Sequence, residues 1–303
     1  MKNVFRLTLT LLLSTVLLTA CGGSGGASGD KEVTIGSKSF TEQLLLSKMT
    51  AMLLEDNGFS VEEKNNMGSN VLRSALESKQ VDMAWDYTGT GLVTYLDEDP
   101  VPNAEEAFER VKEIDKENGI DWVNLSEINN TYTIMMRQKQ SEEIGITKLS
   151  ELAEYMNNNS GEMTLATDVE FSERPDGLDG LEEFYGFEYG ADQVETMDLG
   201  LTYESLQKKQ VDTAVGFATD SRIEDYNLVN LEDDKQFFPD YTAAVVINEG
   251  INEEYPEIAE LTAGISDNMN SDTMRKLNYQ VDIEEKSVKD VAEQWLTDQG
   301  LIE

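Results

Sequence analysis

The feature that most constrains this chain is an internal repeat with a spacing of 130 residues. The segment "ESKQVDMAWDYTGT" (77–90) aligns with "QKKQVDTAVGFATD" (207–220), and the two share the tetrapeptide Lys-Gln-Val-Asp. At the same offset, "TIGSK" (34–38) aligns with "TLATD" (164–168). Because both ends of the unit match at one offset, the sequence predicts two similar halves.

Each half alternates short apolar strands with amphipathic helices, a pattern that indicates parallel pairing and an α/β fold. In the first half, Thr41 is a candidate helix N-cap and Gly58 a helix stop. The segments predicted there are the strand 33–38, the helix 41–58, the strand 59–65, the helix 69–80 and the strand 81–87.

Two further strands, "NNTYTIMMR" (129–137) and "FPDYTAAVVIN" (238–248), mark the places where the chain passes between the halves. A helical tail follows, without a counterpart in the second half, and the simplest arrangement returns it to the first. We therefore expect a hinge with a ligand cleft between two lobes. The predicted limits are 32–128 with 238–303 for lobe I, and 129–237 for lobe II.

The N-terminus has the pattern of a bacterial secretion signal, predicted over residues 1–20. Lys2 and Arg6 precede an apolar run, and Cys21, the only cysteine of the chain, follows small residues. This arrangement resembles a lipoprotein signal, in which Cys21 is lipidated, although a plain signal peptide is the alternative. A Gly- and Ser-rich tether, predicted over 21–31, would then hold the body away from a membrane.

Composition removes several classes of function. The formal net charge of −37 opposes binding to nucleic acid phosphates. Without histidine, Ser-His-Asp and Cys-His triads and imidazole metal sites are impossible. We expect no cofactor, no metal and no enzymatic activity.

The acidic surface leads to a prediction about salt. Because like charges repel in the folded state and salt screens them, raising NaCl from about 0.1 to 1 M, which shortens the Debye length from about 10 to 3 Å, should stabilise the protein. Thermal unfolding followed by circular dichroism across this range should show a rising midpoint. A midpoint that is flat or falls would contradict the prediction.

Several motifs together resemble the substrate-binding lipoproteins of osmoprotectant ABC transporters, which collect glycine betaine, choline and carnitine. The resemblance covers the chain from about residue 32 to its end. It implies a two-lobed periplasmic-binding-protein-like fold of type II with two hinge crossings, at the extracytoplasmic face of the membrane. It also implies an ABC permease and its ATPase as partners. The motifs are "IGSKSFTEQ" (35–43), "WDYTGTG" (85–91), "NNTYTI" (129–134), "RPDGLDGL" (174–181), "FATDSRI" (217–223) and "LEDDKQFFPDY" (231–241).

Members of that family hold a quaternary ammonium group among aromatic rings from both lobes. A trimethylammonium group has no N–H to donate, so ring faces attract it instead, each by roughly 0.5–2 kcal/mol. Phe217 departs from the family pattern, where tyrosine is expected, so one hydroxyl is lost. The glycines after Tyr87 are expected to let the backbone approach the ligand. The rings implied by the resemblance are Tyr87, Tyr132, Phe217 and Tyr241.

The carboxylate of glycine betaine needs hydrogen-bond donors. The matching motifs offer Lys38, Gln43, Thr90 and Arg174. Charge-assisted bonds from lysine or arginine are about twice as strong as neutral ones. Thr90 favours a zwitterion such as betaine over choline, because a hydroxyl donates to a carboxylate.

Two alternatives stay open at this point. The first is a receptor of the same fold for choline, carnitine or another zwitterion. If that zwitterion is an amino acid, the site would need a carboxylate to meet its primary ammonium group. A secreted carboxylate-based hydrolase is the second, and it would need two carboxylates facing each other across the cleft.

Overall fold

The computed structural model describes residues 31–159 and 163–303. The predicted signal sequence, Cys21 and residues 22–30 of the predicted tether lie outside the described residues. Among the helices in the described part of the chain, none has the length and apolar character needed to cross a membrane.

Strands and helices alternate along both halves, as the hydrophobic pattern predicts. The elements before the first crossing are β1 (Lys31–Lys38), α1 (Thr41–Asp56), β2 (Phe59–Met67), α2 (Ser69–Glu77), β3 (Met83–Tyr87), a π-helical segment (Thr90–Tyr95), α3 (Ala104–Asp115), a 3-10 turn (Lys116–Asn118) and β4 (Ile120–Val123). Next come β5 (Tyr132–Arg137), α4 (Gln138–Ile144), α5 (Leu149–Asn158), β6 (Leu165–Thr167), α6 (Val169–Glu173), α7 (Leu178–Tyr185), β7 (Val194–Thr196), α8 (Leu199–Gln207), β8 (Thr213–Phe217), α9 (Arg222–Asp225) and β9 (Leu228–Asn230). The chain ends with β10 (Ala243–Asn248), α10 (Glu249–Glu254), α11 (Glu257–Ser266), α12 (Ser271–Asp282) and α13 (Val288–Gln299).

The strands form two sheets with the same internal order. The first sheet runs β2-β1-β3-β10-β4 and the second runs β7-β6-β8-β5-β9. In each sheet the first three strands are parallel, and the strand beside them is antiparallel to both of its neighbours. Strand β8 follows β3 at a spacing of 130 residues, so the internal repeat and the α/β fold class are confirmed.

Two segments, 124–131 and 231–242, connect the sheets, and they run side by side. The backbone N–H of Asn130 donates to the carbonyl of Tyr241 at 3.1 Å. The side-chain amide of Asn129 donates to Asp240 at 2.8 Å. Helices α11, α12 and α13 pack against α1, beside the first sheet. From this arrangement we propose that lobe I comprises residues 32–128 and 238–303, and that lobe II comprises residues 129–237.

Helix α1 forms the centre of the larger core because its apolar residues recur at helical spacing and are fully buried, among them Leu46, Met49 and Leu53. The helix begins at Thr41 itself, one residue earlier than an N-cap role for Thr41 would require, and Phe40 occupies the cap position, so the predicted N-cap is wrong. The Thr41 hydroxyl donates instead to Asp282 of α12 at 2.6 Å. That bond ties the start of α1 to the C-terminal helices.

Candidate functional site: an aromatic cleft

A cavity of about 720 Å³ lies between the two sheets, where strands of both end. Its volume is within the range of roughly 300–1,000 Å³ that is usual for small-molecule sites. Seven of the eight residues predicted to contact the ligand line it, namely Lys38, Tyr87, Thr90, Tyr132, Arg174, Phe217 and Tyr241.

The strand pairing brings the predicted rings together. Tyr87 ends β3 and Phe217 ends β8, the equivalent strand of the second sheet. Tyr132 begins β5 and is paired with Phe217 in the antiparallel register, with ring centroids 4.7 Å apart. Tyr241 lies on the second crossing, edge-on to Tyr132 with centroids 5.6 Å apart. Tyr87, Tyr132 and Tyr241 are almost completely buried.

A fifth ring, Phe40, joins these four, and the sequence motifs did not indicate it. Its centroid lies 4.8 Å from that of Phe217 and 6.3 Å from that of Tyr87. The available signal was its place within "IGSKSFTEQ", directly before the helix. We call these five residues the aromatic cluster: Phe40, Tyr87, Tyr132, Phe217 and Tyr241.

Behind the aromatic cluster, a buried carboxyl group holds Tyr87 in place. The Tyr87 hydroxyl donates to Glu42 at 2.7 Å and accepts from the amide of Gln43 at 3.1 Å. The second oxygen of Glu42 accepts from the hydroxyl of Thr219 at 2.8 Å, across the junction of the halves. Burial raises the pKa of Glu42 to about 7, although hydrogen bonds from Tyr87 and Thr219 oppose that rise. Gln43 does not line the cavity and instead supports Tyr87 from behind.

Lys38 lies at one wall of the cavity and is already paired. Its Nζ lies 2.8 Å from Asp86, and 5.1 Å from the ring centroid of Tyr87. Asp86 also accepts from the hydroxyl of Tyr95 at 2.9 Å. The lysine therefore reaches the cleft as one member of a buried ion pair.

Arg174 is held in the same way from the other half. Its guanidinium donates two bonds to Asp176, at 2.8 and 2.7 Å, and lies 3.2 Å from Glu170. It also reaches the Thr90 hydroxyl at 3.4 Å, and its charge lies 5.3 Å from the ring centroid of Tyr132. A ligand carboxylate at this wall would find donors from both halves, and it would share them with protein carboxylates.

The family model described as "Substrate binding domain of ABC-type glycine betaine transport system" matches residues 31–298. The chain belongs to this family. It is 37% identical over 294 residues to a glycine-betaine-binding protein of Pseudomonas aeruginosa, covering 95% of this chain and 94% of that protein. It is 32% identical over 302 residues to the carnitine transport binding protein OpuCC of Listeria monocytogenes, covering 97% of this chain and 96% of that one.

A solved crystal structure described as a glycine betaine/carnitine/choline ABC transporter has the same fold. The TM-score is 0.71 at 28% sequence identity, and the match covers 89% of this chain and 100% of that one. The predicted type II periplasmic-binding-protein fold is thereby confirmed. Members of this family are the substrate-binding components of ABC-type transport systems.

In this betaine-transport family member, the glycine after Tyr87 serves packing within the protein. A Cβ added at Gly89 would lie 2.8 Å from the carbonyl oxygen of Asp240 and 2.9 Å from the ring of Tyr241. Neither Gly89 nor Gly91 lines the cavity, so the expectation that these glycines bring the backbone close to a ligand is not supported; at Gly89 the space for a side chain is taken by the second crossing. The absence of a side chain at Gly89 lets Tyr241 enter the aromatic cluster.

Three carboxylates that the sequence motifs did not indicate also line the cavity: Asp168, Glu170 and Asp198. All three come from the half that holds the second sheet. Each lies in or beside a helix that begins shortly after a strand of that sheet, so the strand–helix order alone could have indicated them. Among the described residues that line the cavity, the first half contributes no carboxylate to face them.

Proposed function

We propose that this protein captures a quaternary ammonium osmoprotectant, glycine betaine first, between its two lobes and delivers it to an ABC permease. The observation that carries the proposal is the aromatic cluster, five rings gathered from both halves at one cavity. Ring faces are the chemistry that recognises a cation without N–H groups. The relatives named for glycine betaine and carnitine support it.

The polar wall suits the other end of a zwitterion. Thr90 and Arg174 approach each other from opposite halves, at 3.4 Å, so a carboxylate placed there would contact both. Lys38 supplies a second cation at the same cavity. The ligand would thus be held at its cation by rings and at its carboxylate by donors from both lobes.

Binding in this geometry favours closure of the lobes. A ligand that contacts both halves only when they are together stabilises the closed arrangement by its differential affinity. The permease would then recognise the closed form. In this proposal Cys21 carries the lipid that keeps the protein at the extracytoplasmic face of the membrane.

Two alternatives differ in what they require of the cavity. An amino-acid receptor needs a carboxylate for a primary ammonium, and Asp168, Glu170 and Asp198 lie at the cavity. A carboxylate-based hydrolase needs a pair facing each other across the cleft, and the three come from one half. The first alternative is therefore tested together with the main proposal.

Calorimetric titration of the purified protein with glycine betaine, choline, carnitine and proline tests the assignment. We expect glycine betaine to bind and Tyr87→Ala to abolish that binding. Stronger binding of choline would overturn the role given to Thr90, and tight binding of proline alone would support an amino-acid receptor. Absence of binding by every quaternary ammonium would overturn the assignment.

A further inference from the structure

A carboxylate of the second half contacts the start of a helix in the first. Glu170, in α6, accepts from the backbone N–H of Ser69 at 3.2 Å through one oxygen. Through its other oxygen it accepts from the Ser69 hydroxyl. Ser69 is the first residue of α2, and both residues line the cavity.

Helix α2 has no cap of its own. Its N-cap residue is Gly68, which has no side chain to accept a hydrogen bond, and its first turn contains no acidic residue. The first backbone N–H groups of a helix need acceptors, and the positive end of the helix dipole favours a negative charge. Glu170, from the opposite half of the molecule, supplies both the acceptor and the negative charge.

The charge of Glu170 is well supported where it lies. Burial raises the pKa of this carboxyl, but the charge of Lys38, the bonds from Ser69 and the charge of Arg174 together outweigh it and lower the pKa. Arg174 lies 3.2 Å away on the same side of the cleft. The carboxylate is therefore ionised at neutral pH.

This contact lies at the outer edge of the cleft. The neighbouring side chains Val71 and Val169, one from each half, are 60% and 58% exposed. The contact between Thr219 and Glu42, by contrast, lies next to Asn130 on the first crossing, with the Thr219 hydroxyl 2.7 Å from the Asn130 side-chain oxygen. A hinge at the crossings separates the outer edge most, so the bond from Ser69 to Glu170 forms last and breaks first.

We propose that Glu170 is a latch, a positioning residue that stabilises the closed lobes by capping α2 from the opposite side. The inference rests on the proposed function, since closure is the step that retains the ligand. The latch holds no ligand itself. It sets how long the closed arrangement lasts.

A double-mutant cycle separates this role from direct contact with the ligand. Glu170→Ala should weaken glycine betaine binding about tenfold, mainly by faster release. Ser69→Ala removes the hydroxyl bond but keeps the backbone N–H bond to Glu170, so it should weaken binding less, about threefold. The double variant should lose about tenfold, as Glu170→Ala does alone, because the Ser69 hydroxyl has no partner across the cleft once Glu170 is removed. A loss of about thirtyfold in the double variant, the product of the two single losses, would overturn the latch, since independent contacts add in free energy.

Glu173→Ala is the matched control, because Glu173 is an exposed acidic residue of the same helix, and its removal should leave affinity unchanged. A second measurement needs no ligand. Hydrogen exchange at the Ser69 amide should be faster in Glu170→Ala than in the wild-type protein and in Glu173→Ala. Equal exchange in all three would overturn the latch even if the wild-type protein binds glycine betaine. Conversely, failure of the wild-type protein to bind any quaternary ammonium would overturn the proposed function and leave the exchange result to decide the latch.

Discussion

Replacing Tyr132 by leucine is expected to weaken glycine betaine binding about 30-fold, whereas replacing it by phenylalanine should change affinity less than about threefold. Tyr132 lies at the centre of the aromatic cluster, with its ring centroid near those of Phe217 and Tyr241. A desolvated cation–π contact contributes about 2 kcal/mol, which is a factor of about 30 in Kd. Leucine keeps an apolar side chain of moderate size but presents no ring face.

Phenylalanine is the matched control because it keeps the ring and removes only the hydroxyl. Among residues 31–159 and 163–303, the Tyr132 hydroxyl donates no hydrogen bond. Calorimetric titration of the three proteins checks the result. Leucine binding as tightly as tyrosine would show that the cation lies elsewhere in the cavity. Loss of binding in both variants would show that Tyr132 contributes to binding through its hydroxyl and not through its ring face.

Replacing Glu42 by glutamine is expected to stabilise the protein at pH 8 by up to roughly 3 kcal/mol and to change little at pH 4. Burial raises the pKa of Glu42 from its ordinary 4.5 to about 7, so the folded protein binds a proton here more tightly than the unfolded chain. The stabilisation from this proton is fully present below pH 4.5. It is lost as the pH rises to about 7, and above that the cost of the buried charge is constant.

Glutamine has the shape of glutamate, and its side-chain oxygen can still accept from the hydroxyl of Tyr87. Chemical unfolding at a series of pH values between 4 and 8 measures the effect. The exposed Glu173→Gln variant serves as control and should follow the wild-type profile. Parallel profiles for the wild-type protein and Glu42→Gln would mean that Glu42 does not titrate between pH 4.5 and 7.

The fold was predictable from sequence to the extent that it repeats. The spacing of 130 residues, shared by the segments that end in Tyr87 and Phe217, predicted two equivalent strands, and both end at the same cavity. The start of α1 was less predictable. Threonine is a residue type favoured at helix N-caps, but the Thr41 hydroxyl donates to Asp282, more than two hundred residues away in sequence. Local propensity carries no information about such a partner.

The candidate site, too, was predictable from the sequence only in part. Ring residues at strand ends could be located from motifs, because strand pairing determines where they lie. The pairing of Lys38 with Asp86 and of Arg174 with Asp176 could not be inferred, since the charge of a residue does not reveal its partner. Phe40 and Glu170 were missed for a related reason. Each acts at the junction of the two halves, and their geometry depends on how the halves meet.

The sheet order has a consequence for how the chain folds as it is synthesised. In the first sheet β10 lies between β3 and β4, and β4 pairs with no described strand except β10. The strands of the second sheet, β5 to β9, are by contrast contiguous in sequence. The first sheet therefore cannot be completed until residues 243–248 have been synthesised. The second sheet can form as soon as β9 has been synthesised. Until β10 arrives, β3 and β4 have open edges, which are prone to pair with other chains.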